Sequence, residues 1–281
     1  MGAVSEYLLA RREQAPLAPK TNNELHYVTM AARSHWLLLR ESLVSLYRAW
    51  DSIPNLTVVS DGSWKQDEFS EAFDFWPNPI KVLMPDEICG TLAGAGQNAL
   101  GELARAHPLG LKLAAIILLA QERAILFVDS DILWFSDPSK ILTQMNGLPG
   151  PVAAIETKAS YNEDLVRQFC PEGISSPAIN TGCIYLKGPL CDCKLLQDLL
   201  AAALENPKHN FNEQSILAVA VQKNGRKFPA EFCLVDFADA MTWKRRQPWR
   251  QGFHSRHYVN WMRHQFYRDA ITLRRMSFPY S

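Results

Sequence analysis

The sequence predicts an α/β fold, a single domain with a mostly parallel, mixed central sheet flanked by helices. Apolar runs of strand length alternate with longer segments whose apolar residues recur at helical spacing. Residues 125–128 read ILFV and are apolar throughout, as expected of a buried strand. The chain has 281 residues, 47% of them hydrophobic, so it can bury a sizeable core. No repeat or low-complexity linker divides it.

The first half of the chain alternates regularly between strands and helices. Residues 1–22 contain Pro16 and Pro19 and predict a mobile N-terminal arm, followed by one domain over 23–281. Ser34 can cap a helix whose apolar side chains recur at helical spacing up to Trp50. Asp137 then precedes a proline and predicts the start of a short helix. We predict strands at 25–30, 56–60, 80–84 and within 124–135, and further helices at 66–76 and 109–122.

The second half of the chain is less regular. We predict strands at 152–156, 183–186 and 232–235, and helices at 190–204 and 212–222. From residue 244 onward the chain is rich in Arg, Trp and His.

Charge and hydropathy exclude several classes of protein. Lys plus Arg equals Asp plus Glu, at 29 each, which argues against a general nucleic-acid binder. The first 24 residues contain no sustained apolar segment of the secretory type. The longest apolar stretch, 109–120, is interrupted by Lys112 and is too short to cross a membrane. We therefore expect a cytoplasmic protein with no nucleic-acid partner.

The strongest chemical signal is the triplet Asp129-Ser130-Asp131, which follows the apolar run directly. Residues two apart in an extended segment point to the same side, so the two carboxylates lie together. Like charges repel unless a cation separates them, and Mg²⁺ or Mn²⁺ prefers oxygen ligands and accepts phosphate oxygens beside them. The triplet therefore predicts a divalent metal site.

The segment ILFVDSDILWFSDP resembles the DxD region of the GT-A glycosyltransferases, especially the kind that includes glycogenin and the lipopolysaccharide hexosyltransferases. The resemblance covers roughly residues 25–270 and implies a GT-A-like domain that transfers a hexose from a UDP-sugar. It implies that Asp129 and Asp131 hold Mn²⁺ or Mg²⁺ on the donor diphosphate. It also makes His257 the third metal ligand, with His254 and His264 as close rivals.

The same resemblance assigns the other donor-site residues. LHYVTMAARSHW is similar to the opening strand and nucleotide loop, which puts Thr29 to Ala32 near the base and ribose, chiefly through backbone contact, with Thr29 and Ala31 as the assigned residues. Lys112 either approaches the donor or is a helix lysine that extends to solvent. The segments Asn180-Thr181-Gly182 and Glu213-Gln214 are expected to face the donor sugar. The resemblance gives Asn180, Glu213 and Gln214 catalytic roles, and Thr181 and Gly182 a role in donor binding.

Several functional alternatives stay open. The nearest resemblances imply retention of configuration, whereas an inverting reaction would need a base such as Asp236 or Glu156. A sugar nucleotidyltransferase would want glycines after the first strand, which residues 31–34 lack. A non-catalytic nucleotide-sugar-binding protein is the alternative from another class. The acceptor, whether a glycan, a lipid-linked sugar or a protein, is not named by the sequence.

Residues 244–275 form a basic, aromatic segment with nine Lys or Arg and a single acid, Asp269. Part of the segment can close over the donor diphosphate while the rest is a solvated helix face. Alternatively, its bases meet anionic lipid, which would place the protein peripherally at the inner face of a membrane. We favour the internal alternative, because His257 and its neighbours are then already engaged at the site.

Overall fold

A seven-stranded sheet forms the centre of the computed structural model, which describes residues 2–12, 14–158, 160–236, 247–259 and 262–276. Its first half is parallel. This half contains four strands, β1 (Asn22–Ala31), β2 (Ile53–Ser60), β3 (Lys81–Leu83) and β4 (Ile125–Val128), and a short strand β5 (Ile132–Trp134) follows β4 outside the sheet.

The second half makes the sheet mixed. It consists of β6 (Val152–Glu156), β7 (Ala178–Leu186) and β8 (Arg226–Lys227). Strand β7 runs antiparallel to both β4 and β6, whereas β6 and β8 are parallel. The strand order is β3-β2-β1-β4-β7-β6-β8. The prediction of a mostly parallel mixed sheet is therefore confirmed.

Helices cover both faces of this sheet. A 3-10 turn at Arg33–His35 precedes the first long helix, so the helix predicted from Ser34 begins at Trp36. In chain order the helices of the described residues are α1 (Gly2–Ala10), α2 (Trp36–Ala49), α3 (Gln66–Ala72), α4 (Pro85–Gly94), α5 (Asn98–Ala106), α6 (Pro108–Glu122), α7 (Ser139–Met145), α8 (Glu163–Phe169), α9 (Cys193–Leu204), α10 (Asn212–Asn224) and α11 (Arg263–Arg275). The sequence did not predict α1, α4, α5, α8 and α11.

The core has two main layers, one on each face of the sheet. Ile125 and Phe127 of β4 pack into the layer that contains α6 and α10. Leu126 and Val128 pack into the opposite layer, which contains α2. This alternation explains why the strand is apolar at every position, since both of its faces are buried.

A two-stranded ribbon links the C-terminal part of the chain to the end of β4. It pairs β5 with β9 (Ser255–His257) in antiparallel fashion, and Ile132 lies opposite His257. The strand predicted at 232–235 is reduced to a single bridge between Leu234 and Arg256. The ribbon therefore brings a distant histidine beside the acidic triplet.

The N-terminal segment differs from the mobile arm that its two prolines suggest. Gly2–Ala10 form α1, which packs along α11, and Leu9 is buried with Met262 and Phe266 in a third apolar cluster. The prediction treated the prolines as a sign of an unpacked segment, but both lie beyond the end of this helix. Among the described residues, no helix combines the length and the apolar character that crossing a bilayer requires.

Candidate donor and metal site

A cleft of about 490 Å³ lies at the carboxyl ends of β1 and β4. Carboxyl ends of parallel strands are where open α/β sheets usually bind ligands. Ten of the twelve residues that the sequence assigned to the site line this cleft, so a single surface unites residues from five parts of the chain. The ten are Lys112, Asp129, Ser130, Asp131, Asn180, Thr181, Gly182, Glu213, Gln214 and His257.

The other two predicted residues do not line the cleft. Thr29 and Ala31 are buried within β1, whereas Met30 and Ala32 line the cleft instead. The prediction covered Thr29 to Ala32 and expected chiefly backbone contact there; successive side chains of a strand point to opposite faces, so Met30 and Ala32 face the cleft whereas Thr29 and Ala31 point away from it.

Strand register brings Asp129, Asp131 and His257 together. The pairing of β4 with β7 ends in a hydrogen bond from the Asp129 N–H to the Gly182 carbonyl, 2.7 Å long. The ribbon adds a bond of 2.9 Å from the Tyr258 N–H to the Asp131 carbonyl. As a result, His257 Nε2 lies 3.0 Å from Asp131 Oδ1 and 3.7 Å from Asp129 Oδ2.

Asn180 fixes the orientation of the His257 ring. Its Oδ1 lies 2.9 Å from His257 Nδ1 and also accepts the Gly182 N–H at 2.9 Å. An oxygen acceptor at Nδ1 keeps a proton on that nitrogen, so a cation that displaced the Nε2 proton would find the Nε2 lone pair directed at it and at the two carboxylates. This is the arrangement of a histidine that ligates a metal through Nε2.

The rival histidines lie elsewhere. His254 hydrogen-bonds through Nδ1 to Ser136 Oγ at 2.8 Å, and His264 is exposed on α11. Within the described part of the chain, Asp129, Asp131 and His257 can each offer a ligand atom such that all three atoms lie within 4.8 Å of one another.

Lys112 is a buried cation between two acids. Its Nζ lies 2.9 Å from Asp129 Oδ1 and 3.2 Å from Glu213 Oε1, and it donates to the Thr181 carbonyl at 3.3 Å. Burial alone would lower the pKa of Lys112, but the two carboxylates raise it overall. The sequence left open whether this lysine reaches solvent, and the contacts place it at the site.

Arg263 is a site residue that the sequence did not single out. Its Nε and Nη2 each lie 3.0 Å from Asp131 Oδ2, and its Nη1 lies 3.3 Å from His35 Nε2. Burial would raise the pKa of Asp131, but His257 and then Arg263 lower it to about 2. Asp131 is therefore ionised at neutral pH. Arg263 is one of nine bases between residues 244 and 275, and nothing in the sequence distinguishes it from the others as a contact of the acidic pair.

Glu156 lies behind the cleft rather than in it. It is buried, and its two oxygens accept the side-chain amides of Asn180 and Gln214, each at 3.3 Å. Burial raises the pKa of Glu156 to about 7, against the smaller opposing effects of these two bonds and of His257. Glu156 thereby orients two residues that the sequence predicts to face the donor sugar.

The arrangement fits a divalent cation. Two carboxylates and one imidazole are a suitable donor set for Mn²⁺ and an acceptable one for Mg²⁺. Gly182 provides the space: a Cβ at this position would lie 2.1 Å from His257 Cε1 and 2.9 Å from Asp129 Oδ2. A glycine is thus needed for the imidazole to reach the acidic pair.

Comparison with known proteins supports the fold. No family model and no curated sequence matches the chain. Solved structures do match it. Mouse xyloside xylosyltransferase 1 in its apo form aligns with a TM-score of 0.55 and 13% identity, over 84% of this chain and 97% of that one. The galactosyltransferase LgtC, in complex with donor and acceptor sugar analogues, aligns with a TM-score of 0.56 and 13% identity, over 91% and 98%.

A third match has the same fold within a longer protein. The bifunctional glycosyltransferase WbbM aligns with a TM-score of 0.57 and 10% identity, over 94% of this chain and 53% of that chain. At such low identities the likeness establishes architecture. The resemblance that the DxD segment suggested is confirmed at that level, and the protein has the fold of the GT-A glycosyltransferases.

Proposed function

We propose that this protein is a metal-dependent glycosyltransferase that moves a hexose from a UDP-sugar to an acceptor. The observation that carries the proposal is the convergence of Asp129, Asp131 and His257 at the carboxyl end of β4, inside the cleft. The GT-A fold adds support. Mn²⁺ or Mg²⁺ held by these three residues would neutralise the charge that develops on the departing nucleoside diphosphate.

The chain itself supplies further positive charge around that leaving group. Lys112 stands on one side of the acidic pair, next to Asp129, and Arg263 on the other side, next to Asp131. Both are held by hydrogen bonds before any ligand arrives, so little reorganisation is needed when negative charge develops. We assign Lys112 the role of holding Asp129 in place, and Arg263 that of meeting the diphosphate.

We further propose that the reaction retains configuration. Glu156, one of two bases considered for an inverting reaction, does not line the cleft, because Asn180 and Gln214 stand between. Glu213 is engaged by Lys112 and by the Thr181 hydroxyl, which donates at 3.1 Å. A retaining reaction needs no free carboxylate base, since the leaving phosphate can accept the proton of the acceptor hydroxyl.

The first experiment tests the metal site. Asp131→Asn keeps the shape of the side chain and removes its charge, so Mn²⁺-dependent binding of UDP should be lost while the fold persists. His257→Ala should weaken Mn²⁺ binding about tenfold or more. His254→Ala is the matched control and should have little effect. Calorimetry with UDP and Mn²⁺ measures all three, and unchanged affinity in Asp131→Asn contradicts the site.

The second experiment tests the reaction. A screen of UDP-, GDP- and dTDP-sugars for metal-dependent hydrolysis should give turnover with a UDP-sugar. Tight UDP binding without turnover of any donor would favour a non-catalytic nucleotide-sugar-binding protein. Formation of a nucleotide-sugar from a sugar phosphate and a nucleoside triphosphate would favour a sugar nucleotidyltransferase.

A further inference from the structure

Exposed apolar side chains concentrate on a single short helix. Among the described residues, the exposed large hydrophobic side chains are Val4 at 62%, Tyr7 at 52%, Leu8 at 56% and Phe211 at 39%. Three of these four belong to α1, at positions i, i+3 and i+4. Side chains with this spacing share one face of a helix. Helix α1 therefore presents a small apolar face to the outside.

The opposite side of α1 is attached to the fold. Leu9 is buried in the cluster that includes residues of α11. The Arg40 guanidinium donates to the Leu9 carbonyl at 2.6 Å and to the Arg12 carbonyl at 3.1 Å. The buried Leu9 side chain lies on the inner side of α1, and the two carbonyl groups lie at its C-terminal end. The outward direction of the apolar face is therefore set by packing.

Basic side chains lie at one end of this apolar face. Arg11 lies over the Tyr7 ring, with its guanidinium carbon 4.4 Å from the ring centre, and Arg12 is exposed beside it. Arg274 of α11 donates to Gln14 Oε1 at 2.7 Å, so the C-terminal end of α11 lies next to the end of α1. The exposed Arg275 follows it directly. The apolar face thus has a cationic border at its C-terminal end.

The size and chemistry of this surface favour lipid as its occupant. A helix of nine residues is about 14 Å long, and three side chains cover far less than the roughly 800 Å² per partner of a standard protein interface. Shallow insertion into a bilayer requires no such area, because aliphatic and aromatic side chains enter the boundary between headgroups and acyl chains while bases meet the phosphates.

We propose that α1 holds the protein on the surface of a membrane that contains anionic phospholipid. Val4, Tyr7 and Leu8 would insert at the level of the headgroups, and Arg11, Arg12 and Arg275 would contact lipid phosphates. The basic, aromatic composition of residues 244–275 raised the possibility that this segment contacts a membrane. Within it, residues 244–246 and 260–261 lie outside the described part of the chain. Other bases of that segment face inward: Arg256 is buried, and two more pair with acids, Arg263 with Asp131 and Arg274 with Glu41.

Co-sedimentation with vesicles tests this proposal without any donor or acceptor, so its outcome is independent of the proposed catalysis. The vesicles contain phosphatidylcholine alone or phosphatidylcholine with phosphatidylserine at about 30%, a composition rich enough in anionic lipid to attract bases. The parent protein should bind the anionic vesicles and release when salt is raised to about 0.5 M, where screening is strong.

Two sets of variants separate the apolar and the charged contributions. Val4→Ser, Tyr7→Ser and Leu8→Ser combined should reduce the partition coefficient at least about tenfold, since they remove the inserting groups. Arg11→Gln with Arg12→Gln should abolish the preference for anionic vesicles. The matched control is Arg167→Gln with Lys194→Gln, which removes two exposed bases from α8 and α9. It should bind like the parent.

Circular dichroism checks that every variant is folded, which is expected because the replaced side chains are largely exposed. Equal binding of the parent and the triple serine variant would overturn the proposal, and so would the absence of binding to anionic vesicles at low salt. Self-association of the parent that disappears in the triple variant, without vesicle binding, would also overturn it and assign the face to a second copy of the chain.

Discussion

Replacing Gly182 with alanine tests how the acidic pair and His257 are held together. The added Cβ would lie 2.1 Å from His257 Cε1 and 2.5 Å from Nδ1. Non-bonded carbon atoms pack at about 3.5–4.0 Å, so the ring would have to retreat by roughly 1.4 Å. Such a movement breaks the 2.9 Å contact between His257 and Asn180 and withdraws Nε2 from both carboxylates.

We expect Gly182→Ala to weaken Mn²⁺ binding at least about tenfold and to destabilise the fold by about 1–3 kcal/mol, as over-packing usually does. Calorimetry with Mn²⁺ and thermal unfolding measure the two effects. Gly94→Ala is the control, because a Cβ at that position meets nothing within 4 Å. It should leave Mn²⁺ affinity unchanged.

The double variant Gly182→Ala, His257→Ala identifies the cause. If the clash is with the imidazole, removing the ring relieves it, and the double variant should bind Mn²⁺ no more weakly than His257→Ala alone. It should also recover stability relative to Gly182→Ala. Unchanged Mn²⁺ affinity in the folded single variant, or strictly additive losses in the double variant, would refute this account of the site.

Three other substitutions test buried charge and packing. Glu156 has a pKa of about 7 in the folded protein, above its ordinary value of 4.5, so its ionisation opposes folding. In metal-free buffer the unfolding free energy of the parent should fall relative to Glu156→Gln between about pH 4.5 and pH 7, by about 3 kcal/mol in all, and the difference should then stay constant. A difference independent of pH would contradict the assignment. Lys112→Met removes the cation between Asp129 and Glu213 and should destabilise the fold by about 3–5 kcal/mol in chemical denaturation, unlike an exposed lysine. Gly110→Ala puts a Cβ 2.1 Å from a backbone oxygen of α5. It should reduce the free energy of unfolding by about 1–3 kcal/mol without changing Mn²⁺ affinity. An unchanged denaturation midpoint would show that α5 and α6 can move apart at no cost.

Patterns that are continuous in sequence predicted much of the fold. The limits of β6 coincide with the predicted 152–156, and the apolar run before Asp129 forms β4. A strand that is buried on both faces is easy to recognise because every residue is apolar. The same uniformity hides which of its side chains point toward the cleft. For this reason the sequence located β1 but did not show that Met30 and Ala32, and not Thr29 and Ala31, line the cleft.

Features that depend on tertiary contacts were harder to predict. Strand β9 reads SRH and has no apolar run, so only its pairing with β5 makes it a strand. The positions of Arg263 and Glu156 are set by contacts with residues distant in sequence, and no local pattern marks those contacts. Helix α1 was missed because its outer face is apolar where a surface helix is normally polar, which removes the usual amphipathic signal.

The β5–β9 ribbon separates the part of the chain that builds the sheet from the part that completes the site. The last strand of the sheet ends at Lys227, well before His257. A chain that has folded its sheet therefore holds both aspartates but lacks the imidazole until the ribbon forms. If the proposed site binds a divalent metal, its affinity would report on the docking of the C-terminal segment, because two carboxylates alone bind such an ion weakly and full affinity would require that segment to be in place.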